Sequence, residues 1–349
     1  MDRKNSGLKI GNPLFHKALQ QETQSIPPIW MMRQAGRYHW HYQNLRKKHS
    51  FEELCKNPDL AAEVAWGPVS DFDFDLAILF SDILFPLDCL GLGLEYTDKG
   101  PRLQRFLNEE NIDHLVAIDE AVEGMQFQKL AVQKTREKLP IHKSLIGFVG
   151  GIWTLFCYGI EGKHAGNLIH PKQSIHVRKK FFTMMDFFLK ENIRYQLEGG
   201  AEVVMVLDTA AGALSPQEFA SIIIPSLRSL TAAYPGKLGY YCKEGTESQI
   251  AMLQEIPGLA GVGFDHRIDL PTQLRKKTRG FIQGNFDQCL LFRDKANFAT
   301  SLEEYLEPLQ TLTPEERQGW ICGLGHGILP KTPEENVRYF VETVRKVFA

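Results

Sequence analysis

Short apolar runs of about four to six residues recur along this chain, each followed by a polar loop and then a longer amphipathic stretch. Eight runs read as strands: Ile29–Met32, Leu76–Phe80, Leu145–Val149, Val203–Leu207, Leu238–Cys242, Leu259–Phe264, Gly280–Gln283 and Trp320–Leu324. Several are apolar without strict alternation, the pattern of strands covered on both faces in a parallel sheet. Between them the spacing predicts helices over Pro58–Pro68, Pro171–Leu197, Pro216–Thr231, Thr246–Gln254, Leu270–Lys277, Leu302–Gln310 and Pro333–Phe348. Asn57 and Ser215 stand as N-caps before prolines that suit a first helical turn. The stretch ending at Leu197 carries a stripe of Phe181, Phe182, Met185, Phe187 and Phe188, and Gly199-Gly200 is its stop signal.

Strands alternating with helices place the chain in the α/β class. Eight of them predict a (β/α)8 TIM-type barrel, a single domain over residues 1–349, with a doubly wound open sheet as the competing arrangement. The gap between Phe80 and Leu145 is too long for one helix and predicts an insertion after the second strand. Polar residues decide between the two arrangements. Arg33, Arg37, Asp82, Trp153 to Tyr158, Asp208, Thr209, Lys243, Asp265, Asn285, Asp287 and His326 fall at or just after strand ends. A barrel gathers all such ends on one face, whereas an open sheet spreads them along a line, so the pattern favours the barrel.

A formal net charge of −2 gives no global basic field, so nucleic acid is not an expected partner and an anionic ligand needs a local basic cluster. Six scattered cysteines contain no CxxC pair and read as reduced thiols of a cytoplasmic protein. The first residues, Met1 to Gly7, lack the apolar stretch of a signal peptide. No run approaches the ~18 apolar residues of a membrane span, so no membrane partner is expected.

The local basic cluster is present in Pro28-Ile-Trp-Met-Met-Arg-Gln-Ala-Gly-Arg-Tyr38. Arg33 and Arg37 lie close together, repel one another, and suit an anion with more than one carboxylate or phosphate. Asp82 reads either as a helix cap or as a buried carboxylate that stabilises positive charge. The glycine-rich block Gly147 to Tyr158 lacks the spacing of a phosphate loop; its glycines suit close passage of backbone past a large flat ligand, with Tyr158 as a ligand contact or a core phenol. His326 lies between glycines in Gly323-Leu-Gly-His-Gly-Ile-Leu-Pro330, as a turn residue or as an imidazole presented to a site. Asp265 and Asn285 stay open between loop-orienting and site roles.

Met31-Met-Arg-Gln-Ala-Gly-Arg-Tyr38 and Ile78-Leu-Phe-Ser-Asp-Ile-Leu84 resemble signatures of the uroporphyrinogen decarboxylase family. So do the Gly-x-Trp-Thr-x-x-x-Tyr element ending at Tyr158, Leu207-Asp-Thr-Ala-Ala-Gly-Ala-Leu214, and the Gly-His-Gly-x-x-Pro element around His326. The blocks run in the family's order over nearly the whole chain. The resemblance implies decarboxylation, without a cofactor or metal, of the four acetate arms of uroporphyrinogen to methyl groups, giving coproporphyrinogen in haem and tetrapyrrole biosynthesis. It implies catalytic roles for Asp82, Arg33, Tyr158 and His326. It implies substrate contacts from these and from Gln34, Ala35, Gly36, Arg37, Arg46 and Thr209, and it implies a homodimer. Asp82 corresponds to the aspartate under the macrocycle that accepts its pyrrole N–H bonds. Thr209 stands where serine is usual. His39-Trp-His-Tyr-Gln43 departs from the usual Leu-Pro-Glu-Tyr/Phe-Arg, which bears on Arg46, and Gln288 replaces a common proline.

Two competing readings are a zinc-dependent methyltransferase of the wider superfamily and a catalytically silent tetrapyrrole-binding protein. The first requires a His-x-Cys pair, which this chain lacks.

Overall fold

Continuous apolar runs have no face to turn to water, and they assemble into a sheet covered on both sides. The computed structural model describes residues 11–97, 100–276 and 279–349; the reading of Met1 to Gly7 and the predicted helix end at Lys277 lie outside them. The strands are β1 (Leu76–Ile78), β2 (Leu94–Thr97), β3 (Gly100–Leu103), β4 (Ser144–Gly150), β5 (Val203–Leu207), β6 (Leu238–Cys242), β7 (Leu259–Phe264), β8 (Phe281–Phe286) and β9 (Trp320–Leu324). Seven form one parallel sheet in the order β1-β4-β5-β6-β7-β8-β9, and β2 pairs antiparallel with β3. Every residue of β4, β6, β7, β8 and β9 is buried. Each large aliphatic or aromatic side chain so covered contributes about 1.5–3 kcal/mol.

The first predicted strand is much shorter than Ile29–Met32. Only Ile29 forms a bridge, parallel to Cys322. Its neighbours nevertheless bond both edges of the sheet. Cys322 N–H donates to Pro28 O at 2.9 Å and Trp30 N–H to Cys322 O at 3.0 Å, while Asp75 N–H donates to Ile29 O at 3.1 Å. Pairing then stops because the chain turns: Gln34 N–H donates back to Met31 O at 3.1 Å, and Arg33 takes a left-handed φ of 58°.

The predicted helix Pro171–Leu197 is two helices, Ile169–Gln173 and Ile175–Gly199. Ser174 leaves helical geometry at ψ 56°, and its hydroxyl donates to His170 O at 2.8 Å, ending the first helix. Gly200, at φ 110°, ends the second, as the double glycine predicts. Phe181, Met185 and Phe188 are buried along it, whereas Phe187 faces outward. Asn57 and Ser215 cap Pro58–Phe72 and Pro216–Ala233 as expected. Between β1 and β4 lie the helices Phe85–Cys89, Ile118–Glu123 and Gln126–Lys138 together with the β2–β3 hairpin. That hairpin lays Tyr96 against Phe51, ring centroids 4.5 Å apart.

Candidate active site

Because residues 28–30 pair with β9, the loops that follow the two segments lie side by side. Ile328 N–H donates to Met32 O at 2.9 Å and fixes them together. A Cβ built on Gly327 would come within 2.4 Å of Arg33 Cδ, so the aliphatic part of Arg33 lies directly over that glycine, beside His326. Gly36 keeps the turn tight, since a Cβ there would sit 3.0 Å from Arg33 O. A left-handed φ on a non-glycine residue is costly, and such positions concentrate at functional sites.

Asp82 follows β1 in a short turn whose Oδ1 accepts from Leu84 N–H at 2.8 Å. Burial raises its pKa; the Leu84 N–H, the positive charge of Arg33 and the Tyr96 hydroxyl oppose that rise. Tyr158 projects from the helix Ile152–Glu161 after β4. Its phenol is pushed up to about 12, chiefly by burial and then by the Asp82 charge, with Arg33 acting the other way. His326 is pushed down to about 4, first by burial and next by Arg33, with Lys243 and His164 adding to it. Asp82, Tyr158 and His326 therefore each feel the charge of Arg33, and Tyr158 feels that of Asp82 as well. His164 and Lys243 join them.

The remaining predicted residues divide. Arg37 and Arg46 are exposed and flank buried Tyr42, whose phenol both lower while burial, the larger effect, raises it. Cys55, whose thiol pKa burial raises, feels both Asp82 and Arg46. Among the described residues, ion pairs such as Lys143 with Asp73 and Arg267 with Asp265 use other cations, and Arg33, Arg37 and Arg46 have no carboxylate within 4.0 Å. The side chain of Gln34 is fully buried and donates to Leu76 O at 2.8 Å, and its carbonyl accepts from the Tyr38 hydroxyl at 2.9 Å, so Gln34 builds the turn. Ala35 and Gly36 are half-buried in the same turn. Thr209 is half-buried and makes no hydrogen bond among the described residues that joins it to the cluster.

The unusual segment His39 to Gln43 has its own means of holding the arginines. It forms the helix Trp40–Arg46. His39 is wholly buried and its Nε2 lies 2.7 Å from Asp71 Oδ2, while Gln43 Nε2 donates to Arg37 O at 3.0 Å. Asp265 and Asn285 prove to be loop-orienting. Asp265 accepts from Glu244 N–H at 2.7 Å, and Asn285 Nδ2 donates to Asp265 O and Ile268 O at 2.9 and 2.7 Å. Asp208 does the same for its loop, accepting from Thr154 Oγ1 at 2.6 Å.

Sequence reasoning missed His164 and Tyr96 as neighbours of the cluster. Neither lies in a motif; each arrives on a connection whose return path has no periodic signature. Lys243 had a signal, its place at a strand end. Among the described residues no three His, Cys, Asp or Glu side chains are gathered so as to hold a metal ion, and no helix is long and apolar enough to cross a membrane.

A parallel α/β sheet with Arg33, Asp82, Tyr158 and His326 near one another beyond its strand ends defines an α/β scaffold that carries charged and titratable side chains at one end. Solved structures agree on the fold: a methyltransferase from Methanosarcina mazei superposes with TM-score 0.72 at 16% identity, covering 96% of this chain and 98% of its own. A B12-independent methionine synthase from Shewanella sp. W3-18-1 gives 0.53 at 11% identity, covering 92% and 95%. Sequence similarity narrows the class. The family described as Uroporphyrinogen decarboxylase (URO-D) matches residues 11–347. A uroporphyrinogen decarboxylase from Crocosphaera subtropica is 33% identical over 347 residues, 96% of each chain, and one from Myxococcus xanthus is 33% identical over 345 residues, 96% of each. The chain belongs to the uroporphyrinogen decarboxylase family.

Proposed function

We propose that this chain is a carboxy-lyase that converts the four acetate arms of uroporphyrinogen to methyl groups, giving coproporphyrinogen in tetrapyrrole biosynthesis. The observation that carries the reading is the grouping of Asp82 with Arg33, while among the described residues no carboxylate pairs with Arg33, Arg37 or Arg46. A substrate with eight carboxylates supplies the missing anions, in a protein whose net charge is only −2.

Loss of CO2 leaves an electron pair on carbon. Protonating the pyrrole carbon beside an acetate arm creates a cation that accepts that pair; a second protonation then yields the methyl group. Arg33, Arg37 and Arg46 clamp the arms and fix which one reacts, which lowers the entropic part of the barrier. Asp82 accepts pyrrole N–H bonds and stabilises the ring cation, an interaction that strengthens as the macrocycle displaces water. His326, pushed down to about 4, is a neutral hydrogen-bond partner for an arm at neutral pH. Tyr158 keeps its O–H under the same conditions. Together these effects supply a barrier reduction on the order of 8–23 kcal/mol.

In the finer architecture we read, residues 28–30 are the eighth strand of a closed single-domain (β/α)8 barrel, and the segment between β1 and β4 is its insertion. Hydrogen bonds from 28–30 to both sheet edges support this. Cysteine usage supports a cytoplasmic location, and the family resemblance implies a homodimer.

Anaerobic incubation of the purified protein with uroporphyrinogen, no cofactor added, tests the reaction. Coproporphyrinogen is the expected product. Binding without conversion identifies a silent tetrapyrrole-binding protein, and bound zinc with methyl transfer to a thiol identifies the methyltransferase reading.

A further inference from the structure

His164 lies outside every motif that carries the family resemblance, yet it is the hydrogen-bonding partner of Tyr158. Its Nδ1 is 2.6 Å from the phenol oxygen, and the two rings stack with centroids 5.1 Å apart at 30°. The contact has a local cause. The helix Ile152–Glu161 ends at Gly162, in the left-handed region at φ 69°, and the reversal brings His164 back over a side chain six residues earlier.

Two neutral groups at this distance share one proton between them. Burial lowers the basicity of His164, with Lys243 and Arg33 adding to the effect, so the imidazole is uncharged at neutral pH, as is the phenol. Either the phenol O–H points at Nδ1, or Nδ1–H points at the phenol oxygen. Only the second arrangement leaves the phenol hydrogen free to face Asp82 and Arg33, whose charges reach it. An anionic arm there is a charged acceptor for that hydrogen, and charge-assisted hydrogen bonds are roughly twice as strong as neutral ones. Ligand binding therefore selects the arrangement in which His164 donates.

We infer that His164 is a positioning residue for the decarboxylation proposed above: it holds the Tyr158 hydroxyl with its hydrogen directed at the substrate. The inference rests on that functional reading. Its test is a mutant cycle under anaerobic turnover with His164→Leu, His164→Asn, Tyr158→Phe and the Tyr158→Phe/His164→Leu double variant. His164→Leu is expected to lower kcat about 3- to 10-fold with KM little changed, the effect of one neutral hydrogen bond. His164→Asn, whose amide nitrogen takes the place of Nδ1, restores most of the loss. In the Tyr158→Phe background His164→Leu costs nothing further. Wild-type kcat in His164→Leu, or the same fold-loss in both backgrounds, overturns the inference. Wild-type protein that forms no coproporphyrinogen refutes the functional reading, and this role with it.

Discussion

Replacing Asp82 with asparagine separates charge from shape. Asparagine keeps an oxygen where Oδ1 accepts the Leu84 N–H at 2.8 Å, so the turn after β1 survives. What goes is one negative charge under a ring that becomes cationic. Two unit charges about 4 Å apart interact by about 4 kcal/mol at the effective dielectric of a protein surface. Asp82 is half-buried and Arg33 already offsets part of its charge, so a loss toward the lower side of that figure is expected. About 100- to 1000-fold in kcat follows. Stability should move the opposite way. Burial raises the folded-state pKa of Asp82 above its unfolded value, so the contribution of its protonated form is lost as pH rises, and at neutral pH the ionised carboxylate costs stability. Asp82→Asn should therefore melt no lower than the wild type at pH 7 while turning over far more slowly. Anaerobic initial rates and calorimetry on the same preparation measure both. A variant with kcat within about threefold of wild type refutes the charge-stabilising role, and a sharp fall in melting temperature refutes the structural argument.

Other consequences are equally open to measurement. Arg37→Ala should raise KM by about tenfold to a hundredfold, the value of one hydrogen bond to a charged group, with the circular dichroism spectrum unchanged; an unaltered KM counts against the clamp. Gly327→Ala puts a methyl group 2.4 Å from Arg33 Cδ and must push that arginine aside, so activity should fall while the protein stays folded; full activity would show that Arg33 can act from elsewhere. His326 is pushed down to about 4 from an unfolded value of about 6.5, so between those pH values the unfolded chain binds the extra proton and stability drops as pH falls. His326→Gln should flatten that part of the stability profile in urea titrations, and an unchanged slope refutes the assignment.

The sheet was legible because its strands are buried on both faces and carry unbroken apolar runs; β5, β6, β7 and β9 match the predicted bounds. Ile29–Met32 looks equally apolar, but the turn that cuts it short depends on Arg33 adopting φ 58°, a conformation that no glycine in the sequence announces. The break at Ser174 is invisible for a similar reason, since the apolar stripe beyond it continues in helical register. Asp82, Tyr158 and His326 come near Arg33 because each follows a strand of one parallel sheet, whereas Thr209, also beyond a strand, makes no bond that joins it to them among the described residues. His164 was missed because its contact is made by a loop doubling back. Sequence pattern placed Arg46 in doubt through the lost proline and acid after Tyr38; buried His39 against Asp71 and Gln43 against Arg37 show how this chain anchors that region instead.

The central claim is one cleft in which Asp82 lies beneath the macrocycle and the arginines hold its arms. A crystal structure with coproporphyrinogen bound under anaerobic conditions tests it most directly. The account predicts pyrrole nitrogens within hydrogen-bonding distance of the Asp82 carboxylate and propionate oxygens on Arg33 and Arg37. A macrocycle seated away from Asp82, with those arginines untouched, would contradict it.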